Sequence, residues 1–128
     1  MTSTGTGILY SLVAHRPVIL AEYSETTADY EKVVQAILEK IPPNDSKLTY
    51  VYDQYLFHYV CEDDVVYLCM ADSRFGRRIP FAFLEDVKHE FLARYGDQLA
   101  SKLPAYAMNT FSNVLARKMV CPRCRSKE

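Results

Sequence analysis

Two short stretches of the chain, residues 8–14 and 65–71, are β-prone and apolar at nearly every position. A strand that faces water on one side alternates apolar and polar residues, whereas a strand covered on both sides does not. The pattern therefore predicts two central strands that lie side by side in a sheet. A break at His15, Arg16 and Pro17 separates the first run from residues 18–23, which are expected to complete a hairpin with it.

The clearest helical pattern follows. Its apolar positions recur at the spacing of one helix face, and they are Tyr30, Val33, Val34, Ile37, Leu38 and Ile41. Thr26 or Thr27 can cap this helix, Asp29 lies where the helix dipole favours a negative charge, and Pro42 with Pro43 ends it.

Three more strands are predicted at residues 47–52, 55–61 and 65–71, separated by polar breaks of two and three residues. Connections this short cannot form parallel crossovers, so the strands must be antiparallel neighbours. The first of the three is expected to form a sheet edge and the last to lie beside residues 8–14. The sequence thus predicts a five-stranded antiparallel sheet.

The last third of the chain predicts two helices. Pro80 suits the first turn of one, whose buried face is Leu84, Val87, Phe91 and Tyr95, with Gly96 as a left-handed cap. The second follows Pro104 and uses Ala107, Phe111, Val114, Leu115 and Met119. The order ββαβββαα with two doubly covered strands predicts an α+β sandwich, with helices on both faces of the sheet.

Composition narrows the class of protein. The 128 residues amount to one domain, expected at residues 8–119 between a disordered tail at 1–7 and a flexible tail at 120–128. A net charge of −1 provides no field to hold nucleic acid. The longest apolar runs fall far short of the roughly 20 residues of a membrane helix. With no secretory signal in the first residues and no disulfide spacing among the cysteines, a cytosolic location is expected.

Few residues suggest chemistry. His58 lies inside an apolar strand, where a hydrogen-bonded histidine on the sheet face is favoured over a catalytic base. Cys121 and Cys124 have the spacing of half a zinc site, but no second pair follows, so a tail without function is favoured over a metal clip or redox pair. A cluster of Arg74, Arg77 and Arg78 is better explained as a solvated loop than as a contact for an acidic lipid headgroup or partner. We expect no metal, no cofactor and no enzymatic activity.

Several segments, in this order and spacing, resemble one known domain over residues 8–119. They are Lys47-Leu48-Thr49-Tyr50, Tyr55-Leu56-Phe57-His58-Tyr59, Val66-Tyr67-Leu68-Cys69, Ala82-Phe83-Leu84-Glu85, Arg94-Tyr95-Gly96 and Tyr106-Ala107-Met108-Asn109. That domain is the longin domain of the tetanus-insensitive vesicle-associated membrane proteins, the long R-SNAREs. The resemblance implies a profilin-like fold with one helix on one sheet face and two on the other.

The resemblance also implies a function. Longin domains of this family regulate membrane fusion on endosomal, vacuolar or secretory vesicles, by folding back on their own SNARE motif and by binding sorting adaptors or trafficking regulators. No heptad helix or membrane anchor follows within these 128 residues, so we expect the chain to regulate fusion and not to drive it. Whether it is an excised domain, a truncated product or a soluble longin protein stays open. The alternative function is a longin-fold subunit of a tethering or GTPase-regulating complex; a small enzyme using His58 or the cysteine pair is the third.

The family's binding groove lies between the first helix and the edge strand after it. Leu48 and Tyr50 match its apolar positions, and alternation places them on one face of that strand. The flanking helix contributes the stripe that includes Val33, Ile37, Leu38 and Ile41, of which Val33 or Leu38 is expected to remain partly uncovered. These six residues are the predicted protein-binding site.

Overall fold

A computed structural model of the chain describes residues 7–15, 18–25, 30–42, 44–99 and 103–119. The predicted helix caps at Thr26 or Thr27 and the Cys121–Cys124 pair lie outside these residues, as do the tails at 1–6 and 120–128.

The described elements follow the predicted order ββαβββαα, and each strand is one residue longer than predicted. The strands are β1 (Ile8–His15), β2 (Val18–Ser24), β3 (Ser46–Tyr52), β4 (Tyr55–Glu62) and β5 (Val65–Asp72), and the helices are α1 (Glu31–Lys40), α2 (Arg78–Tyr95) and α3 (Ser112–Met119). Pro80 lies in the first turn of α2, as expected.

The strands form one antiparallel sheet in the order β2-β1-β5-β4-β3. Every residue of β5 is buried, and β1 beside it is buried at most positions. The two runs without polar alternation therefore lie at the centre of the sheet, as predicted, because each must supply apolar side chains to both faces.

Separate hydrophobic cores cover the two faces of the sheet. On one face α1 packs Val34, Ile37, Leu38 and the adjoining Ile41 against Leu12, Phe57, Tyr59 and Leu68. On the other face α2 and α3 pack Phe83, Leu84, Val87, Phe91, Phe111, Val114, Leu115 and Met119 against Val13, Val60, Tyr67 and Cys69. The predicted division of one helix against two is confirmed.

Two predicted details are wrong. Gly96 keeps right-handed angles (φ −55°, ψ −37°) because the chain continues directly into a short 3₁₀ turn, Gly96–Gln98, so it is not a left-handed cap. Ala107 is exposed, and Met108 is the residue that enters the core. The chain turns at Tyr106, which has a positive φ of 61°, and α3 begins only at Ser112 after a 3₁₀ turn, Asn109–Phe111.

Tight turns join the last three strands. Asp53 (φ 59°), Asp63 (φ 52°) and Asp64 (φ 69°) adopt left-handed angles, which aspartate tolerates better than most residues. Because Glu62 pairs with Val65, the loop between β4 and β5 contains two residues and not the predicted three. Two positive φ angles in a row are typical of the turn that matches the twist of a hairpin.

Within the described ranges, no helix combines the length and apolarity needed to cross a membrane.

Candidate functional site: a groove beside an edge strand

The two edges of the sheet differ in what covers them. Along β2, the backbone N–H groups of Tyr106 and Met108 donate to the carbonyls of Ile19 and Leu20, at 2.7 and 3.2 Å. Along β3, no backbone group of the described residues bonds to the outer side of the strand. The edge of β3 is therefore the open edge of the described sheet.

One face of β3 is directed toward α1. Leu48 pairs with Tyr59 and Tyr50 with Phe57, so both share the face of the α1 core. Leu48 is 44% exposed, and Tyr50 is half-buried, with its ring stacked on Tyr59 at 6.1 Å between centroids. The two residues that match the family's groove are thus accessible, and Tyr50 is held in place by a buried aromatic ring.

The helix side of the groove is less open than the sequence suggests. Val33 is half-buried and packs on the edge of the α1 core. Ile37, Leu38 and Ile41 are buried, with exposures of 6%, 4% and 4%. Leu38 is therefore not one of the partly uncovered border positions, because the helix turns it onto the sheet beside Ile37. These three residues belong to the α1 core, whereas Val33 and Tyr50 are partly buried at its margin and Leu48 is exposed.

An aromatic cluster at the start of α1 extends this surface, and the six predicted residues do not include it. Tyr30 makes edge-to-face contacts with Tyr55 (6.2 Å between centroids) and Phe57 (6.3 Å), and Phe57 makes one with Tyr52 (6.1 Å). Burial, followed by the nearby hydroxyl of Tyr55, raises the pKa of Tyr30. The sequence could have indicated both residues. Tyr52 continues the alternation of Leu48 and Tyr50 along β3, and Tyr30 belongs to the apolar stripe of the first helix.

The opposite face of β3 is fastened to α2. Lys47 Nζ lies 3.3 Å from Glu85 of α2, and Thr49 Oγ1 lies 2.9 Å from His58 Nδ1. His58 is fully buried and its ring meets Phe81 edge-on at 5.2 Å. These contacts tie β3 to β4 and α2 on the face away from α1.

The surroundings of His58 do not suit a general base. Burial and then the positive charge of Arg77 lower its pKa to about 4, because both disfavour the imidazolium. The nearby charge is a guanidinium and not the carboxylate that would orient and support a catalytic histidine. The prediction of a hydrogen-bonded histidine on the sheet face agrees with this geometry.

The other candidate residues form ion pairs or lie in the hydrophobic cores. Arg74 forms a two-point ion pair with Asp72, with Nε–Oδ1 and Nη2–Oδ2 distances of 3.0 and 3.2 Å, and this pair lowers the pKa of the Asp72 carboxyl. Cys61 and Cys69 are buried in different cores and form no disulfide bond with each other. Over the described ranges, no three histidine, cysteine or acidic side chains come together as metal ligands.

Several known proteins have similar sequences. The longin family profile, described as a regulated-SNARE-like domain, matches residues 20–115. Vesicle-associated membrane protein 7B of Dictyostelium discoideum is 50% identical over 113 residues, which cover 88% of the chain and 43% of that protein. Vesicle-associated membrane protein 714 of Arabidopsis thaliana is 44% identical over 115 residues (88% and 52%), and mouse vesicle-associated membrane protein 7 is 44% identical over 113 residues (88% and 51%).

The chain spans about half the length of the curated relatives it matches. The family match runs from within β2 into α3, so it includes the open strand, α1 and both halves of the groove. Sheet order, helix placement and sequence identity agree over the same residues. The chain therefore belongs to the longin family, as a longin domain of the kind found in R-SNAREs related to vesicle-associated membrane protein 7.

Proposed function

We propose that this chain is a regulatory longin domain in vesicle traffic and acts by holding a peptide segment in the groove beside β3. Longin domains of this family are not enzymes. In a full-length R-SNARE the segment is the protein's own SNARE motif, which keeps the molecule closed. Sorting adaptors or trafficking regulators compete for the same surface. The observation that carries the proposal is the exposure of Leu48 and Tyr50 beside Val33 at an open sheet edge.

The groove suits a weak and reversible interaction. Each fully buried large apolar side chain contributes about 1.5–3 kcal/mol. Leu48 and Tyr50 are already partly covered, so a partner gains only a fraction of that from each. Ordering a flexible segment offsets much of the gain, which leaves a contact that a competing partner can displace.

The proposed location follows from the relationship to vesicle-associated membrane proteins. The relatives' names describe vesicle-associated membrane proteins. We place this domain at the cytoplasmic face of endosomal, vacuolar or secretory vesicle membranes, where its SNARE motif and adaptors are available.

A binding experiment tests the groove. A peptide of the SNARE motif of the Dictyostelium relative is titrated against the chain by isothermal calorimetry. The double variant Leu48→Ser with Tyr50→Ser is expected to bind at least tenfold more weakly, since about 1.4 kcal/mol corresponds to tenfold.

Val51→Ser is the matched control. Val51 directly follows Tyr50 on the same strand and is 71% exposed, but it occupies the other face. Its affinity for the peptide should stay within twofold of that of the unmodified chain. Unchanged binding by a correctly folded double variant would overturn the groove. Binding of Rab-family GTPases in place of the SNARE peptide would instead support a subunit of a tethering or GTPase-regulating complex.

A further inference from the structure

A second concave site lies on the opposite face of the sheet from the groove. It is a half-open cleft of about 320 Å³ between the end of β1, the turn joining β4 to β5 and the C-terminal end of α2. Tyr67 and Leu99, two of its lining residues, belong to or pack against the α2–α3 core. The cleft therefore shares no residue with the proposed SNARE-binding surface.

Acidic side chains lie along one wall of this cleft. Glu62 and Asp63 both line it, and Asp64 follows in the same turn. Glu62 is partly neutralised by Lys88, whose Nζ lies 2.9 Å away. The backbone of Asp63 is fixed by its left-handed turn and by an N–H···Oδ1 bond of 3.1 Å to Asp45. The cleft thus offers a positioned carboxylate to a cation.

The floor of the cleft contributes a polar group, the hydroxyl of Tyr67. Tyr67 is 1% exposed, its ring meets Phe91 edge-on at 6.1 Å, and it lines the cleft. Among the described residues, none forms a hydrogen bond with its hydroxyl. Burial, followed by the charges of Glu62 and Asp63, raises the pKa of Tyr67, so the hydroxyl stays protonated. The hydroxyl can therefore donate or accept a hydrogen bond when a ligand enters the cleft.

The rest of the lining consists of His15 at the end of β1, Gly96, and the apolar side chains of Val65, Leu92 and Leu99. Leu92 is 40% exposed although it belongs to α2, and Leu99 lies beside it in the lining. A ligand that fits both walls has an aliphatic stem to cover the leucines and a positively charged head to meet the carboxylate and the hydroxyl. Long basic side chains combine these two properties.

We propose that this cleft is a binding site for a lysine or arginine side chain presented by a partner protein. The stem lies on Leu92 and Leu99, and the head donates hydrogen bonds to Asp63 and to the Tyr67 hydroxyl. The volume lies at the lower end of the range for small-molecule sites, which suits one long side chain. The proposal does not depend on the groove.

Nuclear magnetic resonance titration of the ¹⁵N-labelled chain tests it, with the capped tripeptide Ala-Arg-Ala as probe. The amide signals of Asp63 and Gly96 should move on titration. Capped Ala-norleucine-Ala, which keeps the stem without the charge, should bind at least fivefold more weakly. Butylguanidinium is the free small-molecule probe and should also bind more weakly than the arginine peptide.

Two variants assign the contacts. Asp63→Asn and Tyr67→Phe should each weaken the arginine peptide at least threefold. Asp53→Asn changes the corresponding left-handed aspartate of the β3–β4 turn, and Tyr59→Phe removes a buried hydroxyl on the other face. Both controls should bind as the unmodified chain does. If the Tyr67→Phe variant does not fold, the Asp63→Asn variant tests the proposal by itself, because the Asp63 side chain is exposed at a turn.

Three results would overturn the proposal. The first is equal binding of the arginine and norleucine peptides. The second is an Asp63→Asn variant that binds the arginine peptide unchanged. The third is tighter binding of butylguanidinium than of the peptide, which would make the ligand a free small cation. The Leu48→Ser/Tyr50→Ser variant should bind the arginine peptide normally, so a failure here and a failure of the groove remain distinguishable.

Discussion

At the level of the residue, burial separates the side chains that support the groove from those that can contact a partner. Leu38 and Val33 lie on the same helical stripe, yet Leu38 is 4% exposed and Val33 is half-buried at the margin. Periodicity identifies the stripe but not its width, because the exposure of a border position depends on how the helix is rotated over the sheet. The sequence therefore predicted the stripe correctly and misjudged Leu38.

Substitutions at these two positions should affect different properties, stability at Leu38 and peptide binding at Val33. Leu38→Ala is expected to lower the free energy of unfolding by about 2–5 kcal/mol, because it leaves a cavity in the α1 core. Val33→Ala should lower it by less than about 1 kcal/mol and weaken SNARE-peptide binding. Urea unfolding and calorimetry measure both quantities. A Leu38→Ala variant as stable as the unmodified chain would place that residue at the surface.

His58 should make stability depend on pH. Its pKa is about 4 in the folded chain and about 6.5 when unfolded, so the unfolded chain binds the proton more readily between these values. Stability due to the neutral imidazole is present above about pH 6.5 and is lost as the pH falls toward 4. From pH 7 to pH 5 the loss attributable to this residue should be about 2 kcal/mol.

The comparison with His58→Gln isolates that loss. Both proteins share every other titrating group, so the difference between their unfolding free energies at pH 7 and pH 5 reports His58 alone. Parallel pH dependences would contradict burial of the neutral imidazole.

At the level of the element, the two sheet edges are the feature that sequence patterns could not distinguish. Strand order followed from short connections, and β3 was expected at an edge for that reason. Nothing in the pattern indicated that the turn after Pro104 would bond to β2, because that contact joins residues 84 or more positions apart through Tyr106 and Glu22 as well as through the backbone. Long-range pairing of this kind depends on the assembled fold and not on local preference.

Hydrogen exchange should reveal this difference. The amides of Tyr106 and Met108 lie in a turn, but they donate to β2 carbonyls, so they should exchange at least tenfold more slowly than the neighbouring exposed amide of Thr110. Outward-facing amides of β3 should exchange quickly, and binding of the SNARE peptide should slow exchange along β3. Rapid exchange at both Tyr106 and Met108 would mean that the turn does not stay on the β2 edge in solution.

At the level of the whole molecule, the sheet separates the two proposed binding surfaces. The groove rests on the α1 core and the arginine cleft on the α2–α3 core, with a layer of buried strand residues between them. The absence of polar alternation along β1 and β5 predicted a core on each face of the sheet. The cleft was not predicted, since its wall comes from a turn and the end of a helix that meet only in the folded chain.

Because a close-packed sheet lies between the two surfaces, their ligands should bind independently. The affinity for the arginine peptide should change by less than twofold when the groove is saturated with SNARE peptide. Titration in the presence and absence of the SNARE peptide measures this coupling. A tenfold change would correspond to about 1.4 kcal/mol of coupling and would show that the two cores respond to each other.

The covered edge of β2 limits how many polypeptides can extend this sheet. A strand added at β3 finds unpaired backbone groups, whereas the turn bearing Tyr106 and Met108 already satisfies the carbonyls of Ile19 and Leu20 on the far side. A second strand therefore adds more readily at β3 than at β2. Two copies paired through β3 would leave their β2 edges outward, where this turn occupies part of the surface that a third copy would need.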